Sequence, residues 1–294
     1  MNKVGFIGVG IMGKSMVRNL MKAGFELHIY ARTKSKVEDV ISEGAQFHES
    51  IKDCVQDCDA VITIVGFPQD VEEVYFDEGN ILDSAKEGAY LIDMTTTSPQ
   101  IAEKIYAEGA KRGFHVMDAP VTGGDTGAKA GTLSILVGGE KEDYEACMPL
   151  FEAMGTNINY QGKAGCGQHC KLANQIMIAG TLSGVCEALT YAKEQGLDPE
   201  VFMKSVATGA AGSKQLDTFG PKILKDDYAP GFFMKHFIKD MKLALIEANR
   251  KGLSLDVLSM VLANYEELEQ EGYGDLGTQA LMKFYDEEHR NMEE

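Results

Sequence analysis

The stretch Lys3-Val-Gly-Phe-Ile-Gly8-Val-Gly10-Ile-Met-Gly13 constrains this chain more than any other. An apolar, strand-like run stops at Gly8, two further glycines follow, and Met16, Leu20 and Met21 then recur with a helical period. G-x-G-x-x-G between a strand and a helix is the pattern of a dinucleotide-binding turn. The three glycines differ in what they allow. Gly8 permits the tight turn, Gly10 lets a pyrophosphate approach the backbone, and Gly13 lets the helix pack on the strand. The helix start offers N–H groups and a positive dipole end to the phosphates. Gly8, Gly10, Ile11, Met12 and Gly13 are therefore candidate cofactor-binding residues.

A second strand, Leu27–Tyr30, leads into Ala31, Arg32, Thr33, Lys34, Ser35 and Lys36. An NAD site places an acid here to hold the ribose 2′-OH, yet none occurs before Glu38. Ala31, Arg32, Thr33 and Lys36 instead suit a 2′-phosphate, so NADP is expected, with NAD possible. The β-branched run Ala60–Val65 is a strand buried on both faces, followed by a short helix that Asp70 caps. Ala89–Met94 is another strand, and Ser98 then caps a helix with Pro99 at its first position. Ligands lie beyond the carboxyl ends of such strands, so Val65, Thr95 and Thr96 are expected to face the cofactor. His115 onward reads as a strand ending in Thr122-Gly123-Gly124, whose consecutive N–H groups suit a carboxylate. The glycine-bounded stretch Gly127–Gly131, a strand Thr132–Val137, a helix Tyr144–Met154 and a last strand Asn157–Gln161 complete this half.

Gly162, Gly165 and Gly167 then open a long helix with no proline before Pro199. Leu172, Ile176, Ala179, Leu182, Val185 and Leu189 form its apolar stripe. From Gly167 to Glu194 it spans roughly 40 Å, enough to run from one domain to another. Lys171, Asn174 and Gln175 share one face near its start. Everything beyond Gly196 reads as helix, with Lys239 and Asp240 set in an apolar neighbourhood and a charged, frayed tail at Asp286–Glu294. The fold class is α/β: an N-terminal Rossmann-type doubly wound domain (1–163), a long interdomain helix (164–195) and an all-α C-terminal domain (196–294) that serves substrate binding and oligomerisation.

A length of 294 residues suits two domains. With 44% hydrophobic residues and no apolar run near 18, no membrane span is expected. Apolar residues near the N-terminus stop at a glycine turn and not at a small-residue cleavage site, so a cytoplasmic protein is expected. A net charge of −17 argues against nucleic acid and still allows a small carboxylate held by a local cationic patch. Cys54 and Cys58, and Cys166 and Cys170, have C-x3-C spacing but fall in different regions, so packed reduced thiols are expected and no metal.

Four motifs in order, GFIGVGIMG (Gly5–Gly13), DAPVTGG (Asp118–Gly124), GCGQHCKLANQ (Gly165–Gln175) and KDMKLAL (Lys239–Leu245), resemble the β-hydroxyacid dehydrogenase family. That family includes 3-hydroxyisobutyrate dehydrogenases and reductases of tartronate semialdehyde, glyoxylate and succinic semialdehyde. The resemblance implies that Lys171 is catalytic, with Asn174 beside it. It implies that Thr122, Gly123 and Gly124 bind the substrate carboxylate, that Thr96 or Thr95 and Lys239 reach the cofactor, and that Phe232 and Asp240 line the cleft. A homodimer or homotetramer through the helical domain is implied too. Thr122 stands for the family's usual Ser, Ala31 for a frequent Asn, and Phe233 for an Arg of several relatives.

The chemistry agrees, because hydride transfer to a carbonyl builds charge on oxygen and needs a proton donor, a role Lys171 can fill. No Ser-Tyr-x-x-x-Lys arrangement or evident His-Asp pair offers another donor. The expected activity is hydride exchange between NADP(H) and a small β-hydroxy acid or its semialdehyde or keto acid. Imine reductases resemble this pattern but replace the lysine. 6-Phosphogluconate dehydrogenases carry a longer helical domain, and a non-catalytic dinucleotide module lacks the lysine.

Overall fold

The computed structural model describes residues 1–286, so the charged end beyond Asp286 lies outside the described residues. The chain separates into two compact units that divide inside the long helix, after Lys171. The first holds nine strands: β1 (Lys3–Ile7), β2 (Glu26–Tyr30), β3 (Gln46–Phe47), β4 (Ala60–Thr63), β5 (Tyr90–Asp93), β6 (His115–Asp118), β7 (Val121–Thr122), β8 (Leu133–Gly138) and β9 (Gly155–Gly162). Six of them lie parallel in the order β3-β2-β1-β4-β5-β6. The order reverses at β1, which makes the edge beyond β1 and β4 the switch point of a doubly wound sheet. β8 then pairs antiparallel with β6 and β7, and parallel with β9.

Both sheet faces are buried, and the period of two shows it. Phe6, Ile62 and Ile92 join one core with Met16 and Leu20 of the first helix. Their neighbours Ile7, Val61 and Leu91 join a second core with Val55, Val71 and Tyr75. This is why the strand sequences read as unbroken apolar runs and not as alternating ones.

Several expectations need correction. The helix expected over Tyr144–Met154 is two, Lys141–Ala146 and Met148–Met154. Pro149 has no N–H to continue the ladder, and the chain re-starts at Cys147. Gly127–Gly131 falls in and just after a helix, Gly124–Ala130, that ends on a left-handed Gly131. Thr122-Gly123-Gly124 therefore leads from the two-residue β7 into a helix start. Asp70 is not the cap residue of Pro68–Phe76; it sits one turn inside and accepts the N–H of Phe67 at 2.9 Å. Ser98 caps as expected, accepting the N–H of Gln100. The two-residue strands β3 and β7 had no signal long enough to read.

The second unit is helical. Its described helices are the remainder of the junction helix (Cys166–Glu194), Pro199–Val206, Lys214–Ile223, Met234–Arg250 and Asp256–Gln270. Asp198 and Ser213 cap two of them through the N–H groups of Val201 and Leu216. The expected stripe is real: Leu172, Ala179, Leu182, Val185 and Leu189 are buried with Phe237, Met241, Tyr265 and Leu268. The junction helix is long and apolar enough to cross a bilayer by length and composition alone, contrary to the expectation of no such run. Its stripe is the wall of a protein core, which accounts for the apolarity.

Candidate active site

The sheet register lines up the strand ends. Ile7 lies opposite Tyr30 and Thr63, Thr63 opposite Asp93, and Asp93 opposite Asp118. Chain exits after β1, β2, β4, β5 and β6 therefore share one edge, where a doubly wound sheet takes its ligands. At the first exit Gly8 has φ +96°, and a Cβ there would sit 2.1 Å from the Ile64 carbonyl oxygen. A Cβ at Gly13 would sit 2.2 Å from the Gly8 carbonyl oxygen, whereas a Cβ at Gly10 would meet nothing within 4 Å. No neighbour within the protein requires a glycine at Gly10, and the space beside it is open. The helix Ile11–Lys22 has no side-chain cap and no acid in its first turn, so its N–H groups fit a dinucleotide's phosphates. Ile11 is exposed beside this opening and Met12 packs on the core.

At the second exit Arg32 is 72% exposed, and its Nη1 lies 3.2 Å from Asp70 Oδ1. Thr33 and Lys36 are exposed, and Ala31 packs on the core. No acid closes β2, but Asp70 reaches Arg32 from the first turn of the helix Pro68–Phe76. An exposed pair of this kind is worth under about 1 kcal/mol, so the guanidinium can turn to a phosphate.

The β4 and β5 exits share a buried network. Thr63 donates to Asp93 Oδ1 at 2.8 Å and lies 3.1 Å from the Tyr75 hydroxyl, and the Thr95 N–H donates to the same Oδ1. Burial pushes the Asp93 carboxyl up to about 6, against the pull of these hydrogen bonds. Thr95 Oγ1 accepts the N–H of Val65 at 2.9 Å. Of the two threonines expected at the cofactor, Thr95 is buried and ties two loops together, while Thr96 is partly exposed.

At the β6 exit the Asp118 carboxylate accepts the N–H groups of Gly165 at 2.7 Å and Gln168 at 2.8 Å, capping the junction helix from another strand. Burial raises the Asp118 pKa while these two N–H groups oppose the shift. The fully buried Gln168 side chain donates to the Thr95 carbonyl at 2.8 Å and accepts the Thr97 N–H at 3.0 Å. One turn on stands Lys171, 7% exposed. Thr122 pairs with Ser134 on β8. Gly123 and Gly124 both have positive φ, and a Cβ at Gly124 would meet open space.

In the second unit the fully buried Asp240 accepts Gln175 Nε2 at 2.6 Å, and Lys239 Nζ stands 3.1 Å from its other oxygen. Asp240 was expected to line a cleft. With no surface of its own it stands behind Lys239 and Gln175 and holds them. Gln175 Oε1 in turn accepts the Asn174 side-chain amide at 2.8 Å. Phe232 is half-buried and stacks on His236 at 6.3 Å.

Four thiols, Cys54, Cys58, Cys147 and Cys186, are buried, while Cys166 and Cys170 are partly exposed; Cys54 donates to the His28 carbonyl and Cys58 to the Cys54 carbonyl. Burial pushes the Cys58 thiol up to about 12. Among the described residues no three His, Cys, Asp or Glu side chains are grouped to hold a metal.

Comparison with known proteins agrees with this geometry. Residues 3–162 match the NAD binding domain of 6-phosphogluconate dehydrogenase, and residues 165–285 match the domain described as NAD-binding of NADP-dependent 3-hydroxyisobutyrate dehydrogenase. The chain belongs to the β-hydroxyacid dehydrogenase family. It is 49% identical over 282 residues to the uncharacterized oxidoreductase YkwC of Bacillus subtilis, covering 96% of this chain and 98% of that one. It is 37% identical over 253 residues to the 2-hydroxy-3-oxopropionate reductase of Escherichia coli, covering 86% of each. The structure of Mycobacterium tuberculosis 3-hydroxyisobutyrate dehydrogenase with L-serine superposes with a TM-score of 0.88 at 26% identity, covering 96% of this chain and 98% of that one. The protein is accordingly a hydroxyacid dehydrogenase that uses a nicotinamide dinucleotide.

Within this β-hydroxyacid dehydrogenase, Asp93, Asp118 and Gln168 tie the strand exits together and were not singled out from sequence, whereas Gln175 was placed beside Lys171 and Asn174 by its helical face alone. A signal existed for two of them. Tyr90-Leu-Ile-Asp93 and His115-Val-Met-Asp118 are apolar strands closed by an acid at the ligand-facing edge. Gln168 gave none, since its side-chain partners lie 71 and 73 residues away, and the helical face that carries Gln175 did not show its bond to Asp240, 65 residues on.

Proposed function

We propose that this enzyme is an NADPH-preferring reductase of a small aldehyde- or keto-acid, reversible to the β-hydroxy acid, with Lys171 as general acid and base. The observation that carries the reading is the placement of Lys171. It is nearly buried, one helical turn beyond a backbone clamp joined to the β5 and β6 exits. When bound, the nicotinamide supplies or accepts the hydride. Gly8, Gly10 and Gly13 shape the turn that would hold the pyrophosphate, and Arg32 is the cation available to a 2′-phosphate. Lys171 donates a proton to the carbonyl oxygen during reduction and takes it back during oxidation. Thr122 and the N–H groups of Gly123 and Gly124 orient the carboxylate, and the extra methyl of Thr122 favours a short acyl chain. Asn174, braced by Gln175, supports the substrate; Lys239, held by Asp240, reaches the cofactor.

The reading extends to a cytoplasmic homodimer or homotetramer. Met177 is 73% exposed on the junction helix, and Leu253, Val257 and Met260 are exposed on the second unit, apolar area that a further copy would cover.

The test is NADPH consumption against glyoxylate, succinic semialdehyde and tartronate semialdehyde, for parent and Lys171→Ala. The variant is expected to bind NADPH and to lose roughly 10²–10⁴-fold in turnover. Turnover within tenfold of the parent, with NADPH still bound, sinks the assignment.

A further inference from the structure

Gln168 is an amide side chain with no exposed surface; both its side-chain polar atoms are committed to the main chain of an exit loop, and its own N–H to Asp118. Glutamine is seldom fully buried, and burying its amide is unfavourable unless both ends are hydrogen-bonded. Here both are: Nε2 donates to the Thr95 carbonyl at 2.8 Å and Oε1 accepts the Thr97 N–H at 3.0 Å. Its own N–H and that of Gly165 are taken by the two oxygens of Asp118. Helix and sheet come this close only because both surfaces lack a Cβ. One at Gly167 would sit 2.4 Å from the Leu136 carbonyl oxygen, and one at Gly138 would sit 2.6 Å from Asp118 Oδ1. The bonds run on to the neighbouring exit, where Thr95 Oγ1 holds the Val65 N–H. The exits after β4, β5 and β6, which the sequence keeps far apart, are therefore tied by hydrogen bonds to the helix turn preceding Lys171.

An apolar side chain of equal volume would fill the same space without reading the Thr95 and Thr97 backbone. We propose that Gln168 is a positioning residue for Lys171: its amide fixes the Thr95–Thr97 turn and the lysine-bearing helix start in one register, so that donor and cofactor loop move as one body. This rests on the reading of Lys171 as the acid/base. A proton donor displaced by 1 Å loses on the order of 10²-fold in rate, which sets the size of the effect.

The experiment compares Gln168→Met and Gln168→Glu in the full chain. Met keeps the volume and removes both hydrogen bonds; Glu keeps the acceptor for Thr97 and sets an oxygen against the Thr95 carbonyl. Expected are folded proteins by thermal melting and faster amide hydrogen exchange at Thr97 without cofactor. Turnover falls on the order of 10²-fold with little change in substrate KM. With NADPH deuterated at the transferred position, the isotope effect on kcat rises, because the chemical step has become slower. Placed on Lys171→Ala, Gln168→Met adds less than about threefold, since it acts through the lysine. The proposal is overturned by turnover within threefold of the parent, or by a loss of activity at unchanged isotope effect, which marks fewer intact molecules. Failure of both variants to fold assigns Gln168 to stability and overturns it as well. If Lys171→Ala keeps its turnover, the acid/base reading and the role that rests on it both fall. If Lys171→Ala is inactive and the Gln168 variants are not impaired, only the positioning role falls.

Discussion

Gly10→Ala and Gly13→Ala, neighbours on the same turn, should fail in opposite ways. At Gly13 the new methyl would sit 2.2 Å from the Gly8 carbonyl oxygen and 3.2 Å from the Phe6 ring, so the helix must back away from β1 by about 1 Å. Overpacking of this kind costs about 2–3 kcal/mol, and the better helix propensity of Ala returns about 1 kcal/mol. A net loss of about 1–2 kcal/mol lowers the melting temperature by roughly 2–8 °C in a domain of this size. At Gly10 the backbone has φ −86° and the methyl meets open space, so the only cost is a poorer N-cap, under about 1 kcal/mol. That methyl stands where a pyrophosphate would meet the helix start. Loss of one charge-assisted hydrogen bond there is worth about 1.5–3 kcal/mol, a fall of roughly 10- to 150-fold in NADPH affinity. Melting without ligand and fluorescence titration with NADPH separate the two effects. A Gly10→Ala protein that binds NADPH as tightly as the parent, or a Gly13→Ala protein that melts with it, refutes the assignment of these glycines.

Other outcomes follow from the same edge of the sheet. Asp93 binds its proton more tightly folded than unfolded, so its contribution to stability is full below about pH 4 and is lost as pH rises through about 6. From the ordinary 3.8 to about 6 this is about 3 kcal/mol, and denaturant unfolding of parent and Asp93→Asn should show the variant gaining by that order between pH 4 and 7; a difference constant with pH contradicts it. Arg32→Ala should weaken NADPH on the order of 10-fold or more and leave NADH nearly unchanged, with equal losses refuting a 2′-phosphate role. Met177→Glu should lower the mass measured by light scattering to that of a smaller assembly, and an unchanged mass removes this face from the interface.

The sequence by itself determined the longer strands, their order of appearance and the glycine turn, because each rests on a local rule. Unbroken β-branched runs mark strands buried on both faces, Ser98-Pro99 starts a helix, and three glycines at fixed spacing serve a close approach. It also determined the junction helix to within two residues at its start and one at its end, since 29 residues with one apolar stripe and no proline leave few alternatives. Lys171 was legible through chemistry and through the motif that contains it. What tertiary structure decided is who holds Lys171 and the cofactor loops. Asp118 caps a helix 47 residues away, Gln168 reaches back more than 70 residues to Thr95 and Thr97, and Asp240 joins Gln175 across 65. These groups bond to main-chain atoms or to each other, and main-chain partners leave no imprint on residue type at the other end. A helix period places a side chain on a face; only the register of β4, β5 and β6 brings Thr63, Asp93 and Asp118 into one row behind it.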